Sequence, residues 1–122
     1  MEETAELTAA QLGLLGEALE RLKRDLKARL DASADATKPV ALDQTAVGRI
    51  SRVDSMQRQA MAQATRQGML IQLRQCDAAL QAVERGEYGV CRMCEEPIGI
   101  KRLNVKPEAP FCLGCQQGVD RR

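Results

Sequence analysis

The chain has no histidine and no tryptophan, and only one tyrosine and one phenylalanine in 122 residues. Without histidine, the common general base at neutral pH is missing, and a tetrahedral site for a soft metal can draw only on thiolates. Without aromatics, a core must be filled by Leu, Ala, Val and Met, which suits helices packed side by side better than a sandwich or barrel. An excess of charge is also missing. The 18 basic and 17 acidic residues leave a formal net charge of +1. Residues 1–85 carry 12 of each sign, and residues 86–122 carry 6 basic and 5 acidic. Phosphate binding needs a concentrated positive surface. The totals supply none, so sequence-specific nucleic-acid binding is not expected. The N-terminus, "MEETAELTAA", is acidic and lacks the apolar stretch of a signal peptide. No apolar run is long enough to cross a bilayer. These absences predict a cytoplasmic protein with no membrane partner, where paired cysteines are metal ligands or redox sites rather than structural disulfides.

What the chain does have is helical periodicity. Leu12, Leu15, Leu19, Leu22 and Leu26 recur at spacings of three and four, with Leu30 continuing the seam. This predicts a helix over 4–31. Residues 32–42, "ASADATKPVAL", break it with Pro39 and turn-forming residues. A second helix is expected from Asp43, its candidate cap, to Gly86, either continuous or broken at Gly68. Its late half carries a clear stripe: Met69, Leu73, Cys76, Leu80 and Val83. Its early half offers Val47, Ile50, Val53, Ala60, Met61 and Ala64. Two helices joined by a short connection pack antiparallel. The first is expected to cover the early and middle parts of the second, leaving the late stripe to the C-terminal module. The predicted fold is mainly α: an antiparallel helical hairpin, or coiled coil, over 1–85, then a four-cysteine zinc finger with a short C-terminal helix over 86–122.

The finger rests on Cys91, Cys94, Cys112 and Cys115, spaced C-x2-C-x17-C-x2-C. Two cysteines three residues apart can face one ion from a tight turn, and two such knuckles complete a tetrahedron. One structural Zn²⁺ is the expected occupant, with iron the competitor for four sulfurs. Four thiolates close the shell, whereas a catalytic zinc keeps a position open. Glu95 and Glu96 read as solvated turn residues, so no enzyme is expected. Lys101, Arg102 and Lys106 form a small basic cluster. It reads as a solvated face, or as a contact for an anionic protein surface or phosphate ligand. Tyr88 and Phe111 read as small-core residues under the knuckles, and Cys76 as a buried, inert thiol.

The stretch "GEYGVCRMCEEPIGIKRLNVKPEAPFCLGC", following a long helical hairpin, resembles the DksA/TraR family of bacterial transcription factors. The likeness lies in the Tyr-Gly before Cys91, in Pro97-Ile98-Gly99-Ile100, in Arg102-Leu103, in Lys106-Pro107 and in both knuckles. The resemblance implies a protein that binds RNA polymerase without reading DNA sequence, and a monomer is expected. It would insert its coiled-coil tip into the secondary channel and alter open-complex lifetime there, with the finger as a rigid base.

Two departures qualify what carries over. The family's acidic tip pair aligns with "GRIS", Gly48 to Ser51, where no acid stands. Asp35, Asp43 and Asp54 are the nearby carboxylates. Asp43 and Asp54 are the candidate tip residues, with Arg49 and Arg52 the rival contacts. The positions at which responsive members bind guanosine tetraphosphate are Gln75, Lys106 and Gln116 here, and only Lys106 is charged. A conventional alarmone site is therefore not expected. The alternative function is a zinc-ribbon adaptor that binds a different protein through its hairpin. A nucleic-acid-binding finger comes third.

Overall fold

The computed structural model describes residues 7–33 and 49–121. Four helices follow one another: α1 (Ala9–Ala32), α2 (Arg49–Arg85), α3 (Ile100–Val105) and α4 (Leu113–Asp120).

α1 begins later than its leucine pattern suggests, because Thr8 and Gln11 form a capping box. The Gln11 N–H donates to Thr8 Oγ1 at 3.0 Å, and the Thr8 N–H donates to Gln11 Oε1 at 2.9 Å. Thr8 is held extended by this exchange, so the helix starts at Ala9 rather than at residue 4. At the other end the Ser33 N–H donates to Arg29 O and its hydroxyl to Leu30 O.

α2 runs unbroken through Gly68 for 37 residues, about 55 Å. A glycine inside a helix costs about 1 kcal/mol relative to Ala. Here Met69 and Leu73 on its C-terminal side lie in the interface with α1, and packing of that kind outweighs propensity. The helix stops at Gly86 in a Schellman turn. Glu87 N–H reaches Ala82 O at 2.8 Å, Gly86 N–H reaches Val83 O at 3.2 Å, and Gly86 takes φ 73°. The predicted start at Asp43 lies outside the described residues.

The two helices are antiparallel. Lys23 Nζ pairs with Asp77 Oδ1 at 2.8 Å, and Arg66 Nη1 donates to Leu30 O at 2.7 Å. This register overturns the expected placement. α1 covers the late half of α2, from Arg66 to the C-terminal end, and α2 before Arg66 runs on past the end of α1. The core is Leu19, Leu26 and Leu30 against Met69, Cys76 and Ala79, flanked by Leu22, Leu70, Leu73, Leu80 and Val83. The α1 leucine seam and the late α2 stripe are thus partners of each other.

The early half of α2 also differs from expectation. Val53 and Met61 are 53% and 69% exposed, and Ala60 and Ala64 are exposed as well. The half-buried residues there are Ser55, Gln59, Ala62 and Arg66. Carrying the three-four spacing of the core back from Met69 lands on those four positions, so the apolar side chains of this half are out of phase with the seam.

Residues 86–121 form a small module at the end of the hairpin where α1 starts. Its center is Leu103, 1% exposed. Gly89 takes φ 97°, and a Cβ there would meet Leu7 Cδ1 at 3.2 Å. Only glycine allows both that backbone and that approach. Leu7, just ahead of α1, therefore seats against the module. Tyr88 packs on the hairpin core and donates its hydroxyl to Pro107 O at 2.8 Å. Among the described residues no helix is long and apolar enough to cross a membrane.

Candidate metal centre

The first knuckle is a tight backbone turn. Cys91 N–H donates to Glu96 O, Glu95 N–H donates to Cys91 O, and Glu95 sits at φ 66° to close the loop. A bridge between Val90 and Pro97 clamps its base. The Met93 and Cys94 amides point back at Cys91 Sγ from 3.4 and 3.5 Å. The second knuckle is the entry to α4. Cys112 stands at its N-cap, and Gln116 N–H bonds to Cys112 O at 2.9 Å. Arg92 N–H, on the first knuckle, reaches Pro110 O ahead of the second, at 2.9 Å. Arg102 Nε reaches Phe111 O at 3.0 Å, tying α3 to the same strand of chain.

These turns bring Cys91, Cys94, Cys112 and Cys115 together, their sulfurs all within 4.8 Å of one another. Cys94 Sγ and Cys112 Sγ are 3.8 Å apart. A disulfide needs about 2.05 Å. A zinc with bonds of about 2.3 Å to a sulfur tetrahedron needs edges of about 3.8 Å. The four cysteines are therefore positioned to hold one metal ion, and the donor set fits zinc. Cys91 is buried and the other three are partly or fully exposed.

The thiols themselves call for a cation. Burial works against ionising Cys91, yet the amides of Cys94, Cys112 and Met93 outweigh it and hold the thiol down to about 6. Cys115 is pushed up to about 12, first by its hydrogen bond to Cys112 and then by burial and its other neighbours. Thiolates this close resist ionising together, and a divalent ion at their center removes that conflict.

Residues 86–121 match the family described as the prokaryotic DksA/TraR C4-type zinc finger. The segment is similar to that finger in both knuckles. Individual proteins are similar to this chain over stretches of 44 to 49 residues. An uncharacterised protein of Aquifex aeolicus is 41% identical over 49 residues, which is 40% of this chain and 34% of the relative. The RNA polymerase-binding transcription factor DksA of Caulobacter vibrioides is 44% identical over 46 residues, 38% of this chain and 32% of the relative. The protein of that name in Escherichia coli K12 is 34% identical over 44 residues, 36% of this chain and 29% of the relative. The matched segment thus spans about a third of the length of these relatives. The solved structure of transcription factor DksA2 from Pseudomonas aeruginosa has the same fold. Its TM-score is 0.69 at 24% identity, over 93% of this chain and 86% of that one.

The remaining candidates are scattered. Lys101 is exposed. Arg102 is used on Phe111 O, and Lys106 Nζ pairs with Glu108 Oε2 at 3.0 Å. The basic cluster is therefore largely committed within the finger. Arg52 and Asp54 are exposed on the early part of α2, and Asp54 pairs with Arg58 at 3.0 Å. Asp35 and Asp43 lie outside the described residues, as does the side chain of Arg49. Glu95 and Glu96 are exposed turn residues.

The residue that sequence reasoning missed is Glu108. It is 3% exposed and receives Gln72 Nε2 at 2.8 Å as well as Lys106. A carboxylate between two knuckles gives no periodic signal, and only the fold brings Gln72 to it.

Proposed function

We propose that the protein is a transcription regulator that binds RNA polymerase directly and does not read DNA sequence. The observation that carries this is the finger of residues 86–121. It joins a DksA/TraR-type metal site to the base of a two-helix arm. Two of the relatives, similar over 46 and 44 residues, bear the name RNA polymerase-binding transcription factor DksA. In this reading the finger is a base with no chemistry of its own, since four thiolates leave a zinc no open position. The working part is the arm, whose far end enters the secondary channel and alters the stability of the open complex. Arg49, Arg52, Asp43 and Asp54 are the residues proposed to act there.

The charge balance of the site favors a regulator that works without guanosine tetraphosphate, and the protein is proposed to act as a monomer. Lys106 is already paired with Glu108, Gln75 is neutral, and Gln116 donates to Asp120 at 2.9 Å. The charge of the one lysine among these positions is thus already partly balanced by Glu108.

The test is retention of purified RNA polymerase on the immobilised, zinc-loaded chain. It should be run beside transcription in vitro from a promoter whose open complex is short-lived. Retention is expected, and so is a change in transcript yield that disappears when Asp43 and Asp54 are both made Asn or when Arg52 is made Ala. No retention of polymerase sinks the reading and leaves an adaptor for some other protein.

A further inference from the structure

Besides the packing of Tyr88 on the hairpin core, few hydrogen bonds fasten the finger to α2. The covalent link runs from Gly86 to Gly89, two glycines at φ 73° and 97°. Between described residues, two hydrogen bonds then join the body of the finger to the helix. Arg92 Nη2 donates to Ala78 O at 3.3 Å, and Gln72 Nε2 donates to Glu108 Oε2 at 2.8 Å. The first is exposed. The second is not, because the Glu108 side chain is 2% exposed.

Glu108 is an odd choice for a buried joint. Its Oε2 accepts from both Gln72 and Lys106, while its Oε1 is buried with no protein donor. A buried carboxylate costs free energy unless it is bonded, and an apolar contact of the same size would hold two surfaces together more cheaply. What the carboxylate adds is direction. An apolar contact tolerates sliding, whereas a hydrogen bond to a desolvated charge is lost steeply with distance and angle. Turning the finger about the Gly86–Gly89 link strips Gln72 from a carboxylate that already lacks a partner on its other oxygen. One seating is therefore far better than its neighbours.

We propose that Glu108 is a positioning residue, which through Gln72 fixes how the finger sits on α2 and so the direction in which the hairpin projects from its base. The consequence for transcription rests on the function proposed above, but the seating does not. It is measured on the full zinc-loaded chain without polymerase. Residual dipolar couplings of α2 and finger amides report their relative orientation, and amide exchange over 86–89 and 106–110 reports how firmly it is held.

Gln72→Ala and Glu108→Ala should each scale down the finger couplings and speed exchange about tenfold, the loss expected for a buried hydrogen bond to a charge. Metal content should stay at one equivalent. Glu108→Gln, which still offers Gln72 an acceptor, should keep the couplings of the parent. If Glu108→Ala fails to fold, Gln72→Ala decides alone, since it removes the same bond from the helix side. Unchanged couplings and exchange in Gln72→Ala overturn the proposal. Loss of metal in Gln72→Ala also overturns it, because the pair would then be maintaining the finger rather than seating it. Polymerase retention tests the other reading separately.

Discussion

Arg66 reaches across from α2 to the last turn of α1 and donates to Leu30 O at 2.7 Å, with Ser33 Oγ at 3.3 Å. The carbonyls at a helix C-terminus have no partner within the helix and carry partial negative charge, so a guanidinium suits them on both counts. With Lys23 and Asp77 it pins the register of the hairpin at two levels. Arg66→Ala should cost about 1 kcal/mol, the usual net worth of such a bond when partly exposed. Urea unfolding of the zinc-loaded chain is the check, with faster amide exchange confined to residues 29–33 as the local signature.

The core makes a sharper prediction. Leu19 and Leu26 are fully buried, and truncating either to Ala should cost roughly 2–5 kcal/mol. Met61 lies out of phase with the seam, and Met61→Ala should fall within about 0.5 kcal/mol of the parent. A large cost at Met61 would mean that another part of the chain covers that face.

Removal of the metal separates the two parts of the molecule. Zinc binding at sites of this kind contributes about 10–16 kcal/mol in isolated fingers, and there binding energy is folding energy. A chelator, or Cys112→Ser, should collapse the dispersion of the amide signals of residues 86–121. Most of the helical circular dichroism should persist, because α1 and α2 bury their leucines against each other. A metal-free chain that keeps its finger signals would show that the thiolates are not what folds it.

Cys76 offers a test in pH. Burial first, and then the negative charges of Glu108 and Asp77, push its thiol up to about 11 from the ordinary 9.0. In the unfolded chain the thiol ionises first. The contribution to stability is therefore complete below pH 9 and is lost as pH rises through about 11. Cys76→Ala should flatten the fall in hairpin stability between those values. In the native protein at neutral pH, Cys76 should react with an alkylating reagent far more slowly than after denaturation.

The legible parts of the molecule were those with a repeating or a fixed pattern. The leucines from Leu12 to Leu30, the stripe from Met69 to Val83 and the two knuckles all have spacings that a single element imposes, and the structure keeps each of them. The register between the helices was not legible. It depends on cross-helix partners such as Lys23 with Asp77, far apart in sequence and unremarkable one by one. The early half of α2 misled because Val53, Ala60 and Met61 look like a seam until the phase of Met69 is known. Glu108 was invisible for the same reason as the register: its surroundings come from a helix 36 residues away.

Leu7 against Gly89 has a practical side. The start of α1 and the whole of α4 sit at one end of the molecule, beside the four cysteines, while α2 carries Arg49 about 55 Å away along its axis. The protein is thus a ruler with both of its handles at the zero mark. A dye attached ahead of α1 and another at residue 52 would give energy-transfer distances that report the straightness of α2 through Gly68. A surface tether placed after α4 would hold the chain by its base and leave the other end of the ruler free to enter whatever opening accepts it.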